Sequence, residues 1–247
     1  MGLLNEFSIQ LYSVKDETAK DFAGTLRRVA GIGYTGVEFA GYGDVSAKEM
    51  KSLLDECGMK SVGSHVGLVR LTDFLDEEIE YNATIGTKYI ICPWSEIKNR
   101  EETLRLAQTL APVAEKVAKA GMKFAYHNHA HEFDFDGEER LLDILFENSD
   151  KSKMLMELDL YWTAYAGVDI EDYISKNRDI CKLVHLKQIK DMESKKFVDL
   201  EDGAIDYKSI ITAALSYGVK EFVLEQEEFE VSPYVSLERN FKYILSL

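Results

Sequence analysis

The sequence predicts a closed barrel of eight parallel strands, each followed by a helix, in one domain spanning residues 1–247. Three observations carry this. Eight short apolar runs alternate with eight amphipathic segments along 247 residues, with no linker-like stretch or shift in composition between them. Alternation of that kind builds a parallel sheet, and eight units in about 250 residues is the size of a (β/α)8 barrel. The third observation is a recurring glycine that ends an amphipathic segment two or three residues before a strand, at Gly33, Gly58, Gly86, Gly121 and Gly218. Glycine terminates helices because the residue just past the last turn often needs positive φ. An open doubly wound sheet would show a GxGxxG or GxxxxGK[ST] loop after the first strand, and none is there.

In chain order, strands are expected near 7–12, 36–40, 61–65, 88–92, 123–127, 154–159, 182–186 and 221–225. Helices are expected near 18–32, 46–57, 72–85, 100–120, 140–148, 169–177, 206–217 and 233–246. Ser46 and Glu49 have the spacing of a capping box, and Ser232-Pro233 pairs an N-cap with a first-turn proline. Pro112 is expected to kink or divide the fourth helix, because proline removes an interior hydrogen bond.

Composition narrows the function classes. A formal charge of −15 opposes a nucleic-acid or anionic-membrane surface, which needs clustered Lys and Arg. Three cysteines, Cys57, Cys92 and Cys181, lack CxxC spacing and form neither a disulfide framework nor a zinc knuckle. With no signal segment and no apolar run near the roughly 18 residues that span a bilayer, a cytoplasmic protein is expected.

Barrels of this kind place chemistry at the C-terminal ends of their strands. Those ends carry Gln10 and Tyr12, Glu38, His65, Cys92 and Trp94, His127 with Asn128 and His129, Glu157 and Asp159, His185 and Lys187, and Glu225 and Glu227. The chain has five histidines, and all of them fall at or just beyond a strand end. A lone strand-end histidine is ordinarily a hydrogen-bonded wall residue, and a lone Trp or Glu there is ordinarily packing or a solvated loop. The conjunction says more. His127, Asp159, His185 and Glu225 end four consecutive strands, and neighbouring strands lie about 4.8 Å apart. Two imidazoles and two carboxylates suit one divalent ion of the Mn, Co, Zn or Fe type, whereas calcium takes oxygen ligands.

Four stretches carry a family resemblance: Tyr126-His-Asn-His-Ala-His-Glu-Phe133, Glu157-Leu-Asp-Leu-Tyr-Trp162, His185-Leu-Lys187 and Val223-Leu-Glu-Gln226. With them the chain resembles the sugar phosphate isomerase/epimerase branch of the xylose-isomerase-like TIM-barrel superfamily along almost its whole length. The resemblance implies a metal held by strands five to eight, with Asp159, His185 and Glu225 among its ligands, and barrels that often pair as homodimers. Two departures accompany it. His127 stands where many such epimerases have Glu, and Trp162 where they have His. The family's pair of metal-bound glutamates on opposite faces of the substrate is therefore reduced to Glu225. Inosose dehydratases of the same superfamily share a His-rich fifth strand end.

The expected activity is a metal-dependent carbohydrate isomerase or epimerase that moves a proton next to a carbonyl through an enediolate. A dehydratase acting on a keto-sugar or inosose is the alternative. Glu225 is expected to transfer the proton, with Glu132, His129 or His65 as a second acid/base. Lys187 is expected to stabilise charge, and to shuttle protons as well, because an ammonium beside a metal has a depressed pKa unless it is paired with a carboxylate such as Glu157. Tyr12, Trp94 and Trp162 are expected to stack on a sugar, while Gln10, Glu38, Asn128 and His65 bind it through polar groups. His131 is given no chemical role. A non-catalytic sugar-binding barrel and a metal-dependent nuclease complete the readings; the acidic charge opposes the nuclease.

Overall fold

The computed structural model describes residues 2–247. Eight parallel strands close on themselves in chain order: β1 (Ser8–Gln10), β2 (Gly36–Phe39), β3 (Lys60–His65), β4 (Tyr89–Cys92), β5 (Lys123–His127), β6 (Met154–Asp159), β7 (Cys181–Leu186) and β8 (Glu221–Leu224). Each expected strand is present within three residues of its expected bounds. Helices cover the outside, and short antiparallel ribbons at 135–136 with 139–140 and at 188–189 with 197–198 decorate the loops after β5 and β7.

Local chemistry sets the helix ends. The Ser46–Glu49 capping box is formed in both directions, and Gly58 closes the same helix in the left-handed region at φ 65°. Gly86 and Gly218 close Leu75–Ile85 and Tyr207–Tyr217 in the same way. Ser232 precedes its helix but makes no capping bond through its side chain. Pro112 does not divide its helix, which runs unbroken from Arg100 to Lys119. The proline and Gln108, whose carbonyl it leaves unpaired, both lie on the exposed face, where water can replace the lost bond. An additional helix, Leu160–Tyr165, begins directly after β6, capped by Asp159, which accepts from the Trp162 N–H at 2.8 Å.

Side chains on a strand alternate between the two faces, so inward positions recur every second residue, about 6.6 Å further up. Near the N-terminal ends the interior is apolar, filled by Val62, Tyr89, Ile91, Ala125 and Leu183 with Leu155 against them. Two residues further along the strands, the inward positions turn polar. On β6 the inward series is Leu155, Glu157, Asp159; on β7 it is Leu183, His185, Lys187. The register shifts at two places, between Val37 and Glu38 against β3 and between Met156 and Glu157 against β7. Such irregularities re-aim side chains, and each adjoins a buried glutamate. Among the described residues, no helix is long and apolar enough to cross a membrane.

Gly63 on β3 makes room for one of those glutamates: a Cβ there would lie 2.4 Å from Glu38 Oε2 and 2.8 Å from Ile91 Cδ1. Gly63→Ala is expected to lower stability by about 1–3 kcal/mol through overpacking, read from the urea midpoint at unchanged m-value.

Candidate metal centre and cavity at the barrel mouth

The upper inward positions converge. Donor atoms of His127, Asp159, His185 and Glu225 lie within 4.8 Å of one another, and all four residues are buried. His127 Nε2 is 3.8 Å from Asp159 Oδ2, and His185 Nδ1 is 3.0 Å from Glu225 Oε2. A cation holding ligands at about 2.1 Å in a tetrahedron separates them by about 3.4 Å, so the spacing suits one ion.

The donor chemistry fits as well. The Asp159 carboxyl is pushed up to about 6, chiefly by burial, against the opposing pull of Lys187 and His185. His127 is held far below the usual imidazole range by burial and by the nearby charges of His185 and His65, so it stays neutral with a lone pair to offer. Burial alone would raise Glu225, but Lys187 and His185 outweigh it and keep the carboxylate ionised. A neutral imidazole, an under-compensated carboxylate and an ionised one are donors that a divalent ion of the Mn, Co, Zn or Fe class takes. His185, which burial would lower but Glu157 and Glu38 raise well above the usual imidazole range, gives up a proton on ligation.

Beneath these groups lies a second polar storey, in which Glu157 and Glu38 are fully buried. Glu157 Oε2 lies 2.8 Å from His65 Nε2, 3.2 Å from His127 Nδ1 and 3.4 Å from His185 Nε2. Glu38 Oε1 lies 2.8 Å from His185 Nε2 and 3.0 Å from His65 Nε2, and accepts from Gln10 Nε2 at 2.8 Å. His127 and His185 thus each face the mouth with one ring nitrogen and a carboxylate below with the other. A ligand histidine is commonly oriented by just such an outer carboxylate.

Lys187 departs from expectation in its partners. Its ammonium lies 3.3 Å from Asp159, 2.9 Å from Glu225 and 2.6 Å from Glu227, and Glu157 is not among them. Burial would lower its pKa, but the carboxylates of Asp159, Glu225 and Glu227 outweigh it and raise it, which holds the ammonium charged.

A cavity of about 370 Å3 opens above the cluster, lined by Tyr12, Ala40, His65, Pro93, Trp94, His127, His129, Glu225 and Glu227. Tyr12 and Trp94 are 41% and 49% exposed, with the Lys15 ammonium over the Tyr12 ring at 3.9 Å from its centroid. Several other expected residues lie away from it. Gln10 is fully buried, donating to Glu38 and accepting from the Tyr12 N–H, so neither it nor Glu38 presents a group to a sugar hydroxyl. Asn128 turns its carboxamide to the Asp159 N–H and the His129 carbonyl, which fixes the β5–β6 corner. Glu132 accepts from the Tyr126 hydroxyl and the His129 N–H, and reaches neither the cavity nor the metal cluster. Trp162 packs among Tyr161, Tyr165 and His129, outside the cavity wall. His131 Nε2 bonds the Ser95 carbonyl, and its Nδ1 lies 3.1 Å from Glu132 Oε2.

Two residues gain importance. Glu227 lines the cavity on the Lys187 ammonium, and Glu157 forms the floor of the metal cluster. The period of two was the available signal, because each lies two residues from a metal-set carboxylate.

Lys187→Met, which strands three carboxylates around an apolar tip, is expected to cost about 3–5 kcal/mol in metal-free protein by chemical denaturation. Stability should also depend on pH. The His65 pKa is lifted from 6.5 to about 9: burial opposes this, but Glu38 and Glu157 prevail. A raised folded-state pKa stabilises fully below 6.5 and is lost as pH climbs through about 9. With chelator present, the melting temperature should fall across that window, and His65→Ala should flatten the fall.

Comparisons with known proteins agree with this architecture. Residues 26–242 match the family described as xylose isomerase-like TIM barrel. A sugar phosphate isomerase/epimerase from Parabacteroides distasonis superposes with a TM-score of 0.85 at 23% identity, covering 96% of each chain. A probable 3-DHS dehydratase from Bacillus anthracis gives 0.76 at 14% identity, covering 97% of this chain and 98% of the other. The 3-keto-D-glucoside 4-epimerase from E. coli gives 0.70 at 15%, covering 92% and 95%. No curated protein matches the sequence. At these identities the superpositions establish a common fold, and the family match adds membership: the chain belongs to the xylose isomerase-like TIM-barrel family.

Proposed function

We propose that this protein is a divalent-metal-dependent enzyme of small carbohydrates, an isomerase or epimerase that transfers a proton at the carbon next to a carbonyl. The observation that carries the reading is the meeting of His127, Asp159, His185 and Glu225 directly beneath a cavity with exposed aromatic walls. Similarity to sugar isomerases and epimerases supports it. A metal bound there supplies Lewis-acid polarisation of substrate oxygens.

The chain's own residues supply the rest. Tyr12 and Trp94 hold the apolar face of a sugar. Glu225, ionised and on the cavity wall, removes the proton adjacent to the carbonyl. Lys187, fixed between Asp159, Glu225 and Glu227, holds positive charge beside the enediolate oxygens. Glu227 shares that ammonium and the same wall, and it replaces Glu132 as the group placed to return a proton. His129, kept neutral by burial and by the Lys187 charge at a pKa of about 3, orients a hydroxyl through its N–H or its lone pair and is not the general acid.

His127 in place of a fifth-strand glutamate favours a second reading, dehydration. The same proton removal followed by loss of a β-hydroxyl gives it, and the similarity to a dehydratase supports it. The protein acts, in this proposal, as a single barrel domain in the cytoplasm, as a monomer or homodimer, without nucleic acid or membrane.

Metal-loaded protein incubated with keto-sugars in D2O is expected to wash deuterium into the carbon next to the carbonyl. An isomerised or epimerised product in the NMR spectrum distinguishes the first reading, and an unsaturated product the second. Glu225→Gln should slow exchange about 10²–10⁴-fold. Unaltered exchange in that variant, or none in wild type across the panel, would overturn the proposal.

A further inference from the structure

We propose that the N-terminal end of the barrel carries a binding site for a small phosphate-bearing anion, held by Lys60, Lys88 and Lys220 over a floor that includes Ser8 and Gly36. The site lies at the end of the strands opposite the mouth, and it is independent of the functional proposal.

A short repeat in the sequence marks it. Four of the five glycines that end a helix are followed two residues later by lysine, in Gly58-Met-Lys60, Gly86-Thr-Lys88, Gly121-Met-Lys123 and Gly218-Val-Lys220. A cation near a helix C-terminus is favourable in itself, because it meets the last carbonyls. Lys182 is used in that way, donating to the Arg178 carbonyl at 2.6 Å. Lys60, Lys88 and Lys220 are used differently: all three line one cavity of about 470 Å3.

Backbone pairing brings these lysines together. The Lys60 N–H donates to the Thr35 carbonyl at 3.0 Å, Lys88 to Ser61 at 3.3 Å, Lys123 to Lys88 at 3.0 Å and Lys220 to Lys182 at 2.9 Å. Each lysine therefore stands at the entry of its strand, tied to the strand beside it. The Lys88 and Lys123 ammonium groups also lie over the Tyr89 ring, 5.5 and 5.4 Å from its centroid, a contact that restrains both.

The cavity has an excess of positive charge in a chain whose total is −15. Its carboxylates are Glu6 and Glu221, the first 3.2 Å from Lys60 and the second paired with Lys88. Lys220 is in no ion pair among the described residues, so one lysine on the wall is left over. The Lys60–Glu6 pair has both side chains about two-thirds exposed or more, at 72% and 67%. Surface pairs of that kind contribute little, and an anion can take Lys60 from Glu6 at small cost.

The floor adds a buried hydroxyl. Ser8 lines the cavity and is only 4% exposed. A Cβ on Gly36, which lines it too, would lie 2.2 Å from Ser8 Oγ and 2.9 Å from Val62 Cγ2, so glycine keeps the floor open around that oxygen. Compact ammonium charges with a hydroxyl donor suit phosphate oxygens. The volume exceeds one phosphate group and leaves room for a second phosphate or for the organic part of an ester.

Isothermal titration calorimetry tests this with inorganic pyrophosphate and with glucose 6-phosphate, on metal-free protein in chelator at fixed ionic strength. Wild type is expected to bind one equivalent saturably. Lys220→Gln should weaken that binding about tenfold. Lys48→Gln, which removes a lysine from a separate surface cleft, should leave it unchanged. Tighter binding of glucose 6-phosphate supports the site and identifies an organic phosphate as its ligand; tighter binding of pyrophosphate supports it and identifies free phosphates. No saturable binding of either in wild type overturns the proposal. So does binding that Lys220→Gln leaves intact, or that Lys48→Gln weakens equally.

Discussion

Everything at the mouth of this barrel depends on how a set of buried charges is mutually compensated. Glu38, Glu157, Asp159, Glu225 and Lys187 are almost wholly removed from water, together with His127 and His185. An isolated buried carboxylate is costly enough to take up a proton instead of ionising. Here Lys187 and the imidazoles hold Glu38, Glu157 and Glu225 ionised, and Asp159 is the least compensated of the four. That imbalance is what a divalent cation would correct.

The barrel makes such a cluster tolerable by separating its layers. The apolar layer of Tyr89, Ile91, Ala125 and Leu183 closes the interior from below, and the polar storeys sit above it. Because neighbouring parallel strands advance together, residues from β2, β3, β5, β6, β7 and β8 meet at two heights. The lower storey orients and the upper storey faces the cavity. A residue's height, more than its type, therefore decides what it does: Glu38 and Glu225 are both buried strand-end glutamates, yet one supports His185 from below and the other meets the cavity.

The fifth strand shows how chemistry can change within this frame. His127 brings a neutral donor where many similar epimerases bring a carboxylate, and Glu157 beneath it supplies an orienting acceptor. Glu227 lines the same cavity as His127, next to Lys187. An exchange of this kind needs no change of backbone, since the inward ladder offers a position on every second residue of each strand.

The strands, most helix ends and the meeting of His127, Asp159, His185 and Glu225 were legible in the sequence. Apolar alternation, capping boxes and helix-ending glycines act over a few residues, and a closed barrel converts strand-end position directly into proximity. What only the tertiary structure decided was orientation and height. Gln10, Glu38, Asn128 and Glu132 also stand at strand ends, but their hydrogen-bond partners come from residues distant in space or turned by a local corner, and those partners take them out of the cavity. Lys187 chose Glu227 over Glu157 for the same reason: the inward ladder puts Glu157 one storey lower than Asp159, a distance that spacing along one strand records but pairing between strands must reveal.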